Sequence, residues 1–578
     1  MNGQKRRILR DTWRLAIPYY LHSDEKGWAW GLLAAVTALN LSTVYLSVRF
    51  NYWRNDFYNA IQELNEHAFF YQLGIFSLLA AIFIAVAVYQ TYLQQMLQIR
   101  WRRWLTRRYL AAWLDERAYY RMQLAGPATD NPDQRIQDDL DRFTGQTLGL
   151  AQGVLNAIVT LFSFLVILWT LSGALTVPLG AGRSVEIPGY MFWVALVYAI
   201  AGTWITYKIG RPLIGLNFQQ QRFEADFRFS LVRLRENTES IALYGGEERE
   251  YGNFADRFGS VVGNFMSIMR RVKMLNWFTN GYGQIAIIFP FVVASPRLFS
   301  KQIQLGGLMQ TAEAFGQVQN ALSFVVNAYT DIAAWQAVIE RLATFEERLR
   351  DVTAAAREPQ KIAIERAGTG VSVAALDLDL PDGTPLLRGV SVAAAPGEAL
   401  LIEGPTGSGK STLLRALAGI WPYGKGQIRI GEGTVLFLPQ RPYLPLGPLR
   451  EAILYPRPQV GVDDACLAEV LGTVGLAGLK DRLDEGENWA TSLSIGEQQR
   501  LAFGRILLIK PAFVFLDEAT SALDEPAEAE LYHFLRTAPW RPTFVSVGHR
   551  SSLRAFHESL CNIARFSARV KPLVPAAD

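Results

Sequence analysis

Eight consecutive residues carry the plainest chemistry in this chain. Gly404, Pro405, Thr406, Gly407, Ser408, Gly409, Lys410 and Ser411 follow the pattern G-x-x-x-x-G-K-S, with Thr412 next. The preceding stretch 398–403 is apolar and reads as a buried strand, while 412–419 has helical apolar spacing. In a strand–loop–helix setting such a loop turns its backbone N–H groups onto phosphates. Lys410 then reaches the β- and γ-phosphates, and Ser411 holds Mg²⁺. Further residues of hydrolytic type follow in order. Gln440 closes a strand and is placed to ligate Mg²⁺ and the attacking water. Ser494, Gly496 and Glu497 open a helix, offering a hydroxyl and an N–H to a phosphate. Asp517 and Glu518 end the apolar strand 513–517; the first orients Mg²⁺ through water and the second polarises the nucleophilic water. Ser521 and Asp524 follow, and His549, at the end of the strand 543–547, contacts the γ-phosphate. Singly, each has a dull explanation, as loop residue, helix cap or surface histidine. Together they supply the positioning and charge neutralisation that phosphoryl transfer requires.

A chain of 578 residues exceeds one core and is expected to form more than one domain. Its hydrophobic half is unevenly spread: long apolar runs crowd the first 330 residues, and the remainder reads as an ordinary α/β domain. Six stretches approach the roughly 20 apolar residues needed to cross a bilayer, at 27–46, 69–93, 147–171, 189–207, 276–293 and 305–328. The last carries Gln310, Glu313, Gln317 and Gln319, as expected of a span facing a bundle interior or an aqueous cavity. Glu313 is the acidic residue well inside a span. It is read as a substrate contact, a proton site or the partner of a buried base, with a structural hydrogen bond as an equal alternative. Basic residues gather in the N-terminal arm, after the second span and after the fourth, whereas connections 47–68, 172–188 and 294–304 hold few. Both termini and the nucleotide domain are therefore expected in the cytoplasm. The two long cytoplasmic connections read as helical hairpins, with turns at 126–132 and at Gly245-Gly246. The resulting organisation is a cytoplasmic arm at 1–26, six transmembrane α-helices with two hairpins at 27–345, a linker at 346–366 and an α/β P-loop domain at 367–578. The first 26 residues lack the apolar core of a cleavable signal. A net charge of +4 gives no case for a nucleic-acid partner. Cys466 and Cys561 have no metal-ligand spacing.

With those residues in view, 366–565 resembles the nucleotide-binding domain of ABC transporters: a Walker A loop, the Q-loop Gln440, the signature Leu493-Ser494-Ile495-Gly496-Glu497, Walker B, the D-loop and the switch His549. Six spans before one motor imply an exporter-type half-transporter that dimerises, Ser494 and Gly496 of one subunit completing the ATP site of the other. Ile495 stands where the usual pattern has glycine. Leu376–Leu380 replaces the region of the usual adenine-stacking aromatic, which implies loose base selectivity. Residues 51–62, 130–136, 224–229 and 308–315 resemble the bacterial SbmA/BacA-like peptide-uptake proteins with a fused ATPase and, more distantly, the peroxisomal acyl-CoA half-transporters. The resemblance implies a homodimer in the bacterial inner membrane, with ATP and Mg²⁺ as cofactors. It would import peptides, peptide-like antibiotics such as bleomycin, or other hydrophilic solutes. Export of acyl-CoA or lipid-like substrates is the alternative.

Overall fold

The computed structural model describes residues 2–124, 126, 131–172, 174–178, 184–357, 361–456 and 462–568. The expected turn at 126–132 thus falls largely outside the described residues. The chain divides into two compact units, one of Met1–Ala112 with Asp130–Glu347, the other of Trp113–Thr129 with Arg348–Asp578.

The first unit is helical. Its elements are α1 (Asn2–His22), α2 (Lys26–Gln62), α3 (Glu66–Leu114), α4 (Leu140–Ser172), α5 (Tyr190–Glu236), α6 (Glu247–Phe299), α7 (Leu305–Asn327) and α8 (Tyr329–Arg357), the last residues of α3 and α8 belonging to the second unit. Among the described residues, five helical stretches are long and apolar enough to cross a membrane, those built on α2 to α6. A helix satisfies its own backbone polar groups, which is why hydrocarbon admits it. Every expected span lies in a helix, but the helices outrun the apolar windows: α5 continues from 207 to Glu236 on charged residues. The connection at 172–188 is structured as well, Ala174–Pro178 pairing antiparallel with Ser184–Pro188. Gly245 ends the helix Thr238–Tyr244 at φ 63°, a left-handed turn that glycine adopts without penalty.

The sixth expected span, α7, is the helix others wrap: it packs on α2, α4, α5 and α6. Ala314, Phe315 and Val318 are fully buried against Phe164, Leu168, Met191 and Ala195. Its polar residues are met by the end of α2, so that the two stretches 51–62 and 308–315 face one another. Asn51 donates to the Gln310 carbonyl at 3.1 Å. Gln62 and Asn59 accept from the Leu305 and Gly306 amides at 2.7 and 2.9 Å, satisfying donors that a helix start leaves open. A Cβ on Gly306 would lie 2.0 Å from the Asn55 carbonyl oxygen, so only glycine permits this approach. Elsewhere α5 and α6 are stitched by Tyr198 and Tyr282, whose rings stack at 4.3 Å and whose hydroxyls each donate to the other's carbonyl. Before α4, buried Asp139 accepts two bonds from Arg341, at 2.6 and 3.0 Å, and another from Arg135.

The second unit is α/β. Strands β1 (Ile362–Arg366), β2 (Val371–Asp379), β3 (Pro385–Ala394), β4 (Ala399–Glu403), β5 (Gly424–Ile430), β6 (Val435–Leu438), β7 (Phe513–Asp517), β8 (Thr543–Val547) and β9 (Ser559–Asn562) make two sheets. One is mixed, in the order β1-β5-β2-β3; the other is parallel, in the order β9-β4-β8-β7-β6. The central strands read as unbroken apolar runs because both faces are covered: β8 is buried at all five positions. Helices α9 (Lys410–Leu417), α10 (Ile495–Ile509) and α11 (Glu525–Thr537) flank the parallel sheet. Within this unit Arg117 donates to the Ala418 carbonyl at 3.2 Å, and Arg357 pairs with Asp115 at 3.1 Å.

Candidate ATP site

Parallel strands bring all their carboxyl ends to one edge of a sheet, where ligands of such folds bind. Here β4 delivers the loop of Gly404–Lys410, β6 delivers Gln440, β7 delivers Asp517 and Glu518, and β8 delivers His549. The loop turns at Gly407 and Gly409, with φ of 79° and 97°. A Cβ on Gly409 would press within 3.4 Å of Leu386 and Leu387. Lys410 is buried and donates from Nζ to the Gly404 and Pro405 carbonyls at 2.8 and 3.0 Å, holding the loop as a ring around its own ammonium. Ser408 Oγ is buried in that loop with no hydrogen-bond partner, an open polar atom suited to a phosphate oxygen.

Two sets of residues are brought together. In the first, Ser411 Oγ donates to Asp517 Oδ1 at 3.1 Å. One carboxylate and one hydroxyl are the oxygen donors that Mg²⁺ takes beside a nucleotide, so these residues fit the ion, which would supply charge neutralisation on the phosphates. Burial pushes the Asp517 carboxyl up from its ordinary value and outweighs the Ser411 hydrogen bond and the Lys410 and Arg415 charges; Glu518 adds in the same direction. A carboxylate with a raised folded-state pKa gives stability below its unfolded value and loses it as pH rises through the folded one. At neutral pH Asp517 is thus a cost to the nucleotide-free fold. Asp517→Asn is expected to raise the melting temperature of nucleotide-free protein at pH 7.5 while abolishing ATPase activity, and to leave the melting temperature unchanged near pH 4. Thermal scans at both pH values check it; an unstable variant at pH 7.5 would count against this account.

In the second set, Gln440 Nε2 donates to Glu518 Oε2 at 3.0 Å, and His549 Nδ1 stands 3.6 Å from Oε1. Gln440 is thus turned to the carboxylate that would polarise water. Glu518 adopts φ 48°, and its amide is tied to the Val547 carbonyl at 3.1 Å. A strained residue held by neighbouring strands is a common way to present a reacting group.

Ser494, Gly496 and Glu497 do something else within one chain. Ser494 Oγ accepts from the Glu497 amide while the Glu497 carboxylate accepts from the Ser494 amide, a capping box opening α10. Hydrogen bonds from Ser494 hold the Glu497 carboxyl below its ordinary value. Ile495 is half-exposed at the first helical position, so solvent accommodates its side chain, while Gly496 lies against the Ala522 carbonyl. Leu376 and Leu378 are fully buried in the core, and Asp377 and Asp379 are engaged by the Gly389 amide and Arg388. Glu313 lies in the helical unit, 2.6 Å from Arg54 Nη1, and accepts from Gln317 at 2.9 Å.

Sequence reasoning missed two residues. Gln499 is wholly buried; it donates to the Gln440 carbonyl at 3.0 Å and to Ser521 Oγ at 3.3 Å, and accepts from the Ala522 amide at 3.0 Å. It ties the Gln440 loop to the loop that follows Glu518. Arg550 donates to the Ser521 and Leu523 carbonyls at 2.9 and 2.7 Å. Arg550 directly follows His549, and that adjacency was the available signal; Gln499 stands two residues past Glu497 with no such mark.

An apolar helical unit joined to a P-loop ATPase of this geometry defines a membrane-embedded, nucleotide-hydrolysing machine. The family models "ABC transporter transmembrane region 2" and "ABC transporter" match residues 19–299 and 387–521. The chain is 36% identical to ABC transporter D family member 2, chloroplastic, of Arabidopsis thaliana, over 96% of this chain and 86% of the relative. It is 34% identical to the inner membrane ABC transporter ATP-binding protein YddA of Escherichia coli (95% and 96% covered) and 30% identical to the lysosomal cobalamin transporter ABCD4 of Homo sapiens (82% and 81%). A bacterial Atm1-family ABC exporter solved with ATP bound shares the fold at TM-score 0.66 and 18% identity, covering 94% of both chains. The chain belongs to the ABC transporters, with fused transmembrane and ATPase regions resembling the D family, and couples ATP hydrolysis to transport.

Proposed function

We propose that this chain is half of a homodimeric transporter in the bacterial inner membrane. It uses ATP to bring a hydrophilic solute inward, peptide-like or vitamin-like. The observation that carries this reading is the polar build of α7. Gln310, Thr311, Glu313 and Gln317 lie on the most embraced helix of the unit, and Arg54 brings a charge to meet Glu313. Ionisable groups among membrane helices are costly and face wet paths; a lipid path has no use for them. The relative named as a cobalamin transporter supports a large polar solute, and YddA, named as an inner membrane protein, supports the location.

In the dimer, ATP lies between the phosphate loop of one subunit and Ser494 and Gly496 of the partner subunit, whose helix start presents open N–H groups. Lys410 neutralises phosphate charge, and Ser411 and Asp517 would hold Mg²⁺, which would supply further charge neutralisation. Glu518, oriented by Gln440 and His549, polarises the attacking water. Closing the two motors on ATP and parting them after hydrolysis alternates the access of the helices. The buried leucines at 376 and 378 leave base recognition loose, so GTP is accepted beside ATP.

The test is sensitivity of intact cells to bleomycin, with the protein, without it, and with Glu518→Gln. Sensitisation by the wild type alone is expected; protection would reverse the direction. The resemblance of residues 51–62, 130–136, 224–229 and 308–315 to the peroxisomal acyl-CoA half-transporters favours a second reading, acyl-CoA export. Stimulation of ATPase activity by acyl-CoA and not by peptides would replace the first with it.

A further inference from the structure

A cavity of about 350 Å³ lies among α2, α3, α4 and α7, and no part of the mechanism above uses it. Among the described residues, seven carboxamides line it, including Asn40, Gln90, Gln94, Gln152, Asn156 and Gln317, and no charged side chain does. Apolar helices that merely pack have no reason to gather so many amides, since each must find partners away from water. Some do: Thr43 donates to Gln90 at 3.1 Å, Gln152 to Thr37 at 3.4 Å and Thr160 to Asn156 at 3.4 Å. Others do not. Asn40 and Gln152 are 3% and 7% exposed, yet Asn40 Oδ1 and Gln152 Oε1 have no hydrogen-bond partner. The nearby charge is already neutralised, because Glu313 is paired with Arg54 and also accepts from the cavity-lining Gln317.

The geometry points to this cavity as a recognition subsite for neutral amide groups of the transported solute. The inference rests on the transport reading above and names the chemistry it selects. Carboxamides present a donor and an acceptor each, the complement of another amide. Asn40 Oδ1 and Gln152 Oε1 are unpaired just beneath the cavity wall, and a turn of either carboxamide would present an acceptor to an N–H donor, which an amide supplies without a charge to desolvate. An ammonium or carboxylate would enter with no counter-ion on the wall, and an alkyl chain would leave the amides unpaired. The volume suits part of a solute, not all of a large one. Two sources share this chemistry: a peptide backbone, and a ring decorated with primary amides such as cobalamin.

The test uses the full chain in lipid nanodiscs. Binding of N-acetyl-tetraglycine amide, of uncapped tetraglycine and of cyanocobalamin is measured by equilibrium dialysis for the wild type, Asn40→Leu and Gln152→Met. These variants replace open polar atoms by apolar groups of similar shape, so the fold is expected to keep or gain thermal stability. Expected results are binding of a neutral probe at least tenfold tighter than of the zwitterion, and at least tenfold weaker binding in both variants with no fall in melting temperature. Preference for the capped peptide assigns the backbone as source, preference for cyanocobalamin the decorated ring; either supports the subsite. Equal binding by wild type and variants, or preference for the zwitterion, overturns it. ATP-driven accumulation of a neutral amide solute by wild type and variants alike would sink the subsite and spare the transport reading. Failure of every solute to accumulate would sink both.

Discussion

Glu518→Gln is expected to bind ATP as the wild type does and to turn it over about 100- to 10,000-fold more slowly, the range a positioned general base contributes. The substitution changes little else. Glutamine keeps the side-chain length, so the oxygen that accepts from Gln440 at 3.0 Å can remain an oxygen. The φ of 48° is imposed by the main chain: the residue's amide is tied to Val547, and the surrounding loops are tied to Gln499. What disappears is the negative charge facing His549 Nδ1 across 3.6 Å and the lone pair that takes a proton from water. Steady-state ATPase activity and binding of a fluorescent ATP analogue, measured side by side, check the two halves of the expectation. ATPase activity at the wild-type level would remove Glu518 from its role.

Lys410→Met should do the reverse at the first step, weakening ATP binding by about 100- to 10,000-fold. Lys410 is buried beneath the loop, and its ammonium has three donors, two of them placed on the Gly404 and Pro405 carbonyls. A phosphate that enters the loop competes for these donors and gains charge-assisted bonds of roughly 1.5–3 kcal/mol each. Methionine matches the stem and has no donor. The two carbonyls also lose their partner, so a small fall in melting temperature accompanies the loss of affinity. Titration of the same analogue reads the affinity. Near-wild-type binding would mean that the backbone amides of Gly407–Ser411 suffice alone.

What the sequence revealed and what it hid follow from the range of the interactions. The phosphate loop was legible because its strand, glycines, lysine and helix are contiguous, and each fits its local conformation without help from afar. The parallel sheet was legible for a similar reason, since β4, β7 and β8 are apolar runs ending in reactive residues. Helix ends were legible only through turn signals. Hydropathy measures transfer into hydrocarbon and ends the fourth span at 207, while the run of α5 to Glu236 in residues that favour water agrees with a helical hairpin turning at Gly245-Gly246. Residues 346–366, read as a linker, hold the end of α8 and all of β1; the alanine and charge there suit an exposed helix face as well as a tether. Gln499 was invisible for a different reason. Its three loop partners lie 22 to 59 residues away, and nothing local separates a buried hub from one more glutamine in a Gln-Gln pair. Arg54 shows the limit most sharply, because its partner Glu313 is 259 positions distant.

That Arg54–Glu313 pair has an electrical consequence. A lone carboxylate moved across the membrane would exchange roughly 2.3 kcal/mol with each 100 mV of potential. A pair with nitrogen and oxygen 2.6 Å apart spans only a small part of a hydrocarbon core about 30 Å thick, so even complete reversal exchanges only about 0.4 kcal/mol per 100 mV. Movements of α2 and α7 that keep the pair intact are therefore nearly blind to the resting voltage of the cell. The pair itself gives the membrane voltage no handle on these helices.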